Sequence, residues 1–141
     1  MLDRQAVVNA GLRFCFRWQN EDGTFDEKEF YYEHGIEDQI ARVVGDTALT
    51  APVLWKTEAR GRDRADKPEY KVKITAALCF SRNLSRLEYY HNSSWLEHGG
   101  APDKAARSGF VSAIDAYLKQ NGKYAKNESK ITFQDVADCL V

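Results

Sequence analysis

The sequence predicts an α+β fold, and two kinds of periodicity carry that reading. Leu12, Phe14, Phe16 and Trp18 alternate with Arg13, Cys15 and Arg17, the period of a half-buried strand. Ile36, Ile40, Val43 and Val44 have the i, i+4, i+7, i+8 spacing of an amphipathic helix. A third sign is Pro102 followed by Asp103, which opens a long helical stretch.

Residues 3–10, "DRQAVVNA", suit the tail of a helix stopped at Gly11. The alternating run "LRFCFRW" is the first strand, "NEDGT" a turn and "FDEKEFYY" the returning strand. The helix around Ile36–Val44 ends at Gly45. "PVLWKTEA" is the next strand, "RGRDRADKP" a charged loop and "EYKVKITAALCF" a long strand. "SRNLS" turns the chain and "RLEYYHNSS" returns it, which makes a second sheet of about three strands. The helix opened by Pro102 runs to about Gln120, with Ala106, Gly109, Phe110, Ala113, Ile114, Tyr117 and Leu118 on its apolar face. Gly109 costs that helix about 1 kcal/mol against alanine, and close packing on the sheet would explain it. "NGKYAKNESK" is a polar connector, after which Thr132 and Asp135 form an approximate capping box ahead of Phe133, Val136, Ala137 and Leu140. The chain stops within about a turn of that apolar run, so a fragment of a longer protein is expected.

The chain has 141 residues, one domain's worth, and is expected to hide roughly two-thirds of the surface it exposes when unfolded. A net charge of -1 gives no global pull toward nucleic acid or membrane, so any electrostatic partner must meet a local patch. Cys15, Cys79 and Cys139 are far apart in apolar surroundings and are expected to be buried reduced thiols. Without a signal peptide or a long apolar run, a soluble cytoplasmic chain is expected, and the sequons at Asn83, Asn92 and Asn127 read as chance.

Catalytic motifs are lacking. His34, His91 and His98 stand in no metal-ligand spacing, His91 in a strand and His98 in a turn. Ser108 lies inside a helix rather than on a nucleophile elbow, and Glu27–Glu29 and Glu37–Asp38 fall on solvated faces. "HGG" ahead of a helix offers N–H groups to a phosphate, but no lysine-serine pair follows and Asp103 would repel the anion. A capped turn is the expected reading. Basic residues do gather, at Arg60, Arg62, Arg64, Lys67, Lys71 and Lys73, with acids interleaved. Two readings stay open there: a solvated hairpin loop, or contacts to a phosphate backbone. Lys104, Arg107, Lys119, Lys123 and Lys126 make a second, weaker basic surface along and after the long helix.

The order of these pieces resembles the B subunit of bacterial type IIA DNA topoisomerases, gyrase or topoisomerase IV. In "VVNAGLRFCFRWQNEDGTFDEKEFYYEHGI", Asn9-Ala10-Gly11 stands where the family opens a strand with leucine-asparagine-x-glycine. Tyr32-Glu33-His34-Gly35 stands for tyrosine-glutamate-glycine-glycine, with His34 replacing the first glycine. "TALTAPVLW" matches the threonine-proline loop, and Tyr90-His91-Asn92 the phenylalanine-x-asparagine strand end. Gly99-Gly100 fits the glycine-glycine-threonine-histidine turn, with Ala101-Pro102 in place of its last pair. "ITFQDVADCL" is similar to the family's last helix start. Ala116 stands where gyrases commonly carry an arginine facing the DNA cavity.

The resemblance implies that residues 1–33 end a GHKL-type ATPase domain. Residues 34–141 would be a transducer domain, truncated before the glutamine-threonine-lysine loop. Its α+β fold would be a mixed sheet with helices packed on it, shared with a ribosomal small-subunit protein. The implied role is coupling ATP binding and hydrolysis to clamp closure and DNA strand passage, with DNA, the A subunit and a second B subunit as partners. ATP and magnesium belong to the full-length protein, and no cofactor, metal or catalytic residue to this stretch, which is expected to be inactive alone. The DNA-contact candidates are Arg60, Arg62, Arg64, Lys104, Arg107 and Lys119. The alternative is a free-standing α+β nucleic-acid-binding or interaction module without catalysis.

Overall fold

The computed structural model describes all 141 residues, Met1–Val141. The elements are α1 (Leu2–Val8), β1 (Phe14–Gln19), β2 (Phe25–Phe30), α2 (Ile36–Val44), a 3-10 turn at Gly45–Thr47, β3 (Val53–Gly61), β4 (Tyr70–Leu78), β5 (Tyr90–His91), β6 (Ser94–Trp95), α3 (Gly100–Gln120) and α4 (Phe133–Ala137). The α+β class stands, and its sheet component takes the form of three two-stranded antiparallel ladders: β1–β2, β3–β4 and β5–β6.

The β1–β2 turn is set by Asp22, whose carboxylate accepts from the Thr24 amide at 2.9 Å and hydroxyl at 2.6 Å. Behind the hairpin, Ala6, Val7 and Tyr32 form a small core with Phe14, Phe30 and Ile36 against it. The Tyr32 hydroxyl donates to Asp3 at 2.9 Å, and the Arg42 guanidinium lies 4.4 Å from the Tyr32 ring centre. Gly35 lets α2 start hard against α1. Its φ is +65°, and a Cβ there would stand 2.7 Å from the Val7 carbonyl oxygen.

The spacing that predicts α2 is also what lets it join two cores. Ile36 meets the first, while Ile40 and Val44 pack with Cys79, Ala77, Leu84 and Val141 in the second. Cys79–Ser81 is the middle of a three-segment ladder there. On one side the Leu49 amide donates to the Phe80 carbonyl at 2.7 Å, and the Phe80 amide to Thr50 Oγ1 at 3.0 Å. On the other side Cys79 and Val141 exchange two backbone bonds at 2.9 Å, and the Ser81 amide donates to the Cys139 carbonyl at 2.7 Å. Cys79 and Ser81 are wholly buried and Leu140 is 1% exposed. The expected third strand of the second sheet does not form. From Arg86 onward the only ladder is Tyr90–His91 with Ser94–Trp95, the Arg86 amide donates to the Leu140 carbonyl at 3.1 Å, and the position beside the Cys79–Ser81 segment is taken by the chain end.

The expected capping box holds. The Thr132 amide and hydroxyl both donate to Asp135 at 2.7 Å, and those bonds keep the Asp135 carboxyl below its usual range. Helix α3 also runs as expected, from Gly100 with Pro102 in its first turn to Gln120, and its one buried residue is Asp115. Two other expectations fail. Cys15 is exposed, because the alternation that places Phe14 and Phe16 on one face puts Cys15 beside Arg13 and Arg17 on the other. Gly109 faces open space instead of packing on a sheet.

The surface is also larger than expected. It amounts to 10428 Å². A compact monomer of 16.1 kDa exposes about 7,400 Å², so this chain hides roughly 55% of its unfolded surface rather than two-thirds. The excess comes from hairpins and a helix that stand off the two small cores, leaving Leu12, Phe16, Phe25, Trp55 and Tyr117 exposed.

Two stability changes follow. Leu140→Ala removes a side chain only 1% exposed, at the residue that bridges Phe80, and is expected to cost about 2–5 kcal/mol in urea unfolding. Gly109→Ala, with nothing near its new methyl, is expected to stabilise the chain by about 1 kcal/mol in the same measurement.

Candidate functional site

Two of the basic groups expected from the sequence are built by different elements. The first belongs to the β3–β4 hairpin. Its register sets Lys56 opposite Thr75, Glu58 opposite Lys73 and Arg60 opposite Lys71, so these side chains share one face. Most of the charge is compensated there. Lys71 and Lys73 lie 2.5 and 3.7 Å from Glu58, and Arg60 lies 3.4 Å from Glu69. At the tip, Arg62 donates to the Ala65 carbonyl at 3.3 Å, and the Lys67 amide closes a turn on the Arg64 carbonyl at 3.0 Å. Neither Arg62 nor Arg64 has a carboxylate within ion-pair distance, so their charges are free for an anion. Gly61 makes this end possible, since a Cβ there would sit 3.0 Å from the ring of Tyr70 across the ladder.

The second group lies on α3. Lys104 is exposed and has no carboxylate partner within ion-pair distance. Arg107 bonds to Asp103 at 2.7 Å and lies 4.5 Å from the Phe133 ring centre, which ties α3 to α4. Lys119 bonds to Asp115 at 2.8 Å. Arg107 and Lys119, both DNA-contact candidates from the sequence, are thus engaged in fastening the helix. Their i, i+4 spacing from Asp103 and Asp115 was the sequence signal for that role.

Asp115 was missed as a functional residue and is the hub of this region. It is 7% exposed, accepts from Tyr124 at 2.9 Å and stands 3.6 Å from Lys130. Tyr124 in turn accepts from the Ile131 amide at 3.2 Å, so one carboxylate organises the connector between α3 and α4. The Lys119 hydrogen bond, opposed by partial burial and aided by Tyr124, holds the Asp115 carboxyl below its usual range.

The stretch from Tyr89 to Arg107 forms an open cleft of about 290 Å³, lined by Leu87, Tyr89, Trp95, Glu97, His98, Gly99, Asp103 and Arg107. The start of α3 has no side-chain cap, contrary to the capped turn expected. Gly99 takes the N-cap position with φ +68°, and a Cβ there would stand 2.5 Å from Asp103 Cβ. Burial, and next the Asp103 carboxylate, push the Tyr89 hydroxyl up to about 12. Beside it, Glu88 accepts from Tyr90 at 2.7 Å and from Arg86 at 2.6 Å. Burial raises the Glu88 carboxyl, but those two bonds outweigh it and hold it below the usual range. Arg4 stacks 3.6 Å from the Trp95 ring centre and Gln5 donates to the Ser93 carbonyl at 2.7 Å, so α1 is tied to β5–β6. His34 pairs with Asp38 at 3.1 Å on the surface, away from His91 and His98. The structure gathers no group of three or more His, Cys, Asp or Glu side chains, and no helix is long and apolar enough to cross a membrane.

A lowered carboxylate stabilises the fold above its ordinary value of 3.8 and ceases to do so as pH falls through its folded value. The stability of the chain is therefore expected to drop below about pH 4. Asp115→Asn is expected to be less stable at neutral pH and to lose less on acidification, read as Tm against pH.

Comparison with known proteins fits this geometry. A family model described as DNA gyrase B matches residues 35–141. Among solved structures the chain is similar to the 43K ATPase domain of Thermus thermophilus gyrase B in complex with an aminocoumarin. The identity is 20% and the TM-score 0.61, over 97% of this chain and 35% of that one. The chain therefore spans about a third of the length of that structure, and the likeness is one of fold. No curated protein matches the sequence.

Proposed function

The chain belongs to the DNA gyrase B family, and from that membership we propose that it is the transducer region of an ATP-dependent type IIA DNA topoisomerase B subunit. Its role is mechanical: to couple ATP binding and hydrolysis to clamp closure and DNA strand passage. The observation that carries the reading is the family match, which runs unbroken from the start of α2 through α4. Residues 1–33 are then the end of the ATPase domain and 34–141 the transducer.

The packing supports a relay. α2 presses Ile36 on the core behind β1–β2 and Ile40 and Val44 on the core around Cys79. A displacement of the first is carried to the Cys79–Ser81 ladder by one rigid helix. Arg62, Arg64 and Lys104 are the side chains proposed to meet DNA phosphates, since no carboxylate neutralises them. Arg60, Arg107 and Lys119 would do so only by giving up their ion pairs. ATP and magnesium are proposed as ligands of the whole B subunit, and DNA, the A subunit and a second B subunit as its partners in the cytoplasm. The chain taken alone is proposed to be inactive. A free-standing nucleic-acid module is the rival, and the uncovered surface speaks against a self-sufficient unit.

The test reconstitutes the complete gene product with the A subunit of the same organism and follows the linking number of plasmid DNA with ATP. ATP-dependent strand passage is expected; its absence with both subunits folded and associated overturns the assignment. In the same complex, Arg62→Glu with Arg64→Glu is expected to weaken DNA binding and lower the log–log salt slope by about 2. Tight, salt-sensitive DNA binding by the 141-residue chain alone favours the rival.

A further inference from the structure

Two sets of contacts join residues 1–33 to the rest of the chain. The first is at α2, where Ile36 packs on the core behind β1–β2 and Arg42 lies over the Tyr32 ring. The second is at the β5–β6 hairpin, far along the sequence. Gln5 Nε2 donates to the Ser93 carbonyl at 2.7 Å, across 88 residues of chain, and the Arg4 guanidinium lies 3.6 Å from the Trp95 ring centre. Asn92 starts the turn of this hairpin with φ +53°, a left-handed conformation that asparagine tolerates. The base of the hairpin is fastened separately. Glu88 accepts from the Tyr90 hydroxyl at 2.7 Å and from Arg86 at 2.6 Å, and the Leu96 amide donates to the Tyr89 carbonyl at 2.8 Å. Soon after Trp95 the chain enters α3 at Gly100.

We propose that Arg4 and Trp95 are positioning residues for strand passage: their contact holds the start of α3 to α1, so that the long helix follows the ATPase end of the chain. The proposal rests on the topoisomerase reading above and gives it a second path beside the one through α2. The two paths differ in kind. The α2 path runs through both cores, whereas Arg4, Gln5, Ser93 and Trp95 belong to neither. Arg4 has no carboxylate within ion-pair distance, so the Trp95 ring is the partner its charge finds.

The weakness of this contact suits a joint. Trp95 is 37% exposed, and a cation over a partly exposed indole is a modest interaction. One such contact and one hydrogen bond break and re-form without opening either core. Each side keeps its own fastening when they part. α1 remains packed through Ala6 and Val7, and the hairpin remains held by Glu88. What is lost is the fixed relation between α1 and the start of α3. A purely structural contact would be expected among the buried residues, where its removal disturbs the whole fold. This one lies where its removal loosens one element against another.

The test uses the complete B subunit with its A subunit and reads two rates in one mixture, ATP hydrolysis and the change in plasmid linking number. Trp95→Ala and Arg4→Met are each expected to lower strand passages per ATP about threefold or more, with hydrolysis close to that of the unchanged protein. Arg4→Met keeps an aliphatic stem over the ring and removes the charge, so it carries the test where Trp95→Ala lowers the Tm. Trp95→Phe and Arg4→Lys keep a cation over a ring and are expected to recover about half of the loss or more. A ratio unchanged in both Trp95→Ala and Arg4→Met overturns the proposal. So does a parallel fall in hydrolysis and strand passage, since the contact then serves the fold alone. An unchanged protein without ATP-dependent strand passage overturns the topoisomerase reading, and the coupling role with it. Strand passage in the unchanged protein, with variants that match its ratio, overturns the coupling role alone.

Discussion

The backbone pairing of Cys79–Ser81 with Cys139–Val141 is the constraint on which the rest of the structure depends. Cys79, Ser81 and Leu140 are buried, so a buried amide or carbonyl there must find a partner or cost about 1–3 kcal/mol. Leu49 and Thr50 satisfy the middle segment from one side and the chain end satisfies it from the other. The Ser81 hydroxyl completes the arrangement against Thr47 Oγ1 at 2.8 Å. Only with this ladder closed do Ile40 and Val44 have a floor to pack on, and only then does α4 sit where Arg107 can reach over Phe133. The connector between α3 and α4 is in turn held to the right length by Asp115 and Tyr124.

This ordering explains why a chain with so few buried residues still has defined elements. Its two cores are small, and much of its architecture is fixed by hydrogen bonds and ion pairs between elements rather than by a filled interior. Surface pairs of this kind contribute little each. Their number does not make up for uncovered apolar faces, so the excess area bears directly on function. It marks apolar side chains on β1–β2, β3–β4 and α3 that no other element of the chain covers.

What was legible in the sequence was local. α2 was readable because Ile36, Ile40, Val43 and Val44 lie within nine residues and share one helical stripe. The Thr132–Asp135 box was readable because the capping bonds are made across a single turn. The central ladder was not readable, because it joins segments about sixty residues apart and neither carries an alternating pattern long enough to reveal pairing. Cys15 was misread by composition although its alternation with Phe14 and Phe16 already placed it with two arginines. Two of the DNA-contact candidates have a second partner that charge alone did not reveal. Arg107 and Lys119 were judged by charge, whereas their spacing from Asp103 and Asp115 made them intrahelical partners first.

The coupling role proposed for the chain rests on how its elements are joined. Transmission of a conformational change needs rigid parts joined at few points, not converging titratable groups. α3 spans about 32 Å at 1.5 Å per residue, and its fastenings lie at Asp103–Arg107 and at Asp115. Between and beyond them Phe110, Val111, Ile114 and Leu118 are half-buried. α2 is the complementary part, short and gripped by both cores. In the proposed relay, a shift of the first core would pass through α2 into the ladder beside α4, and from α4 to α3 through Arg107 and Phe133. The positions that decide the stiffness of that path are the ones that pin α3 at its two ends. Asp115 is the more telling of these, because it is the one charge the helix buries and three other groups have come to meet it.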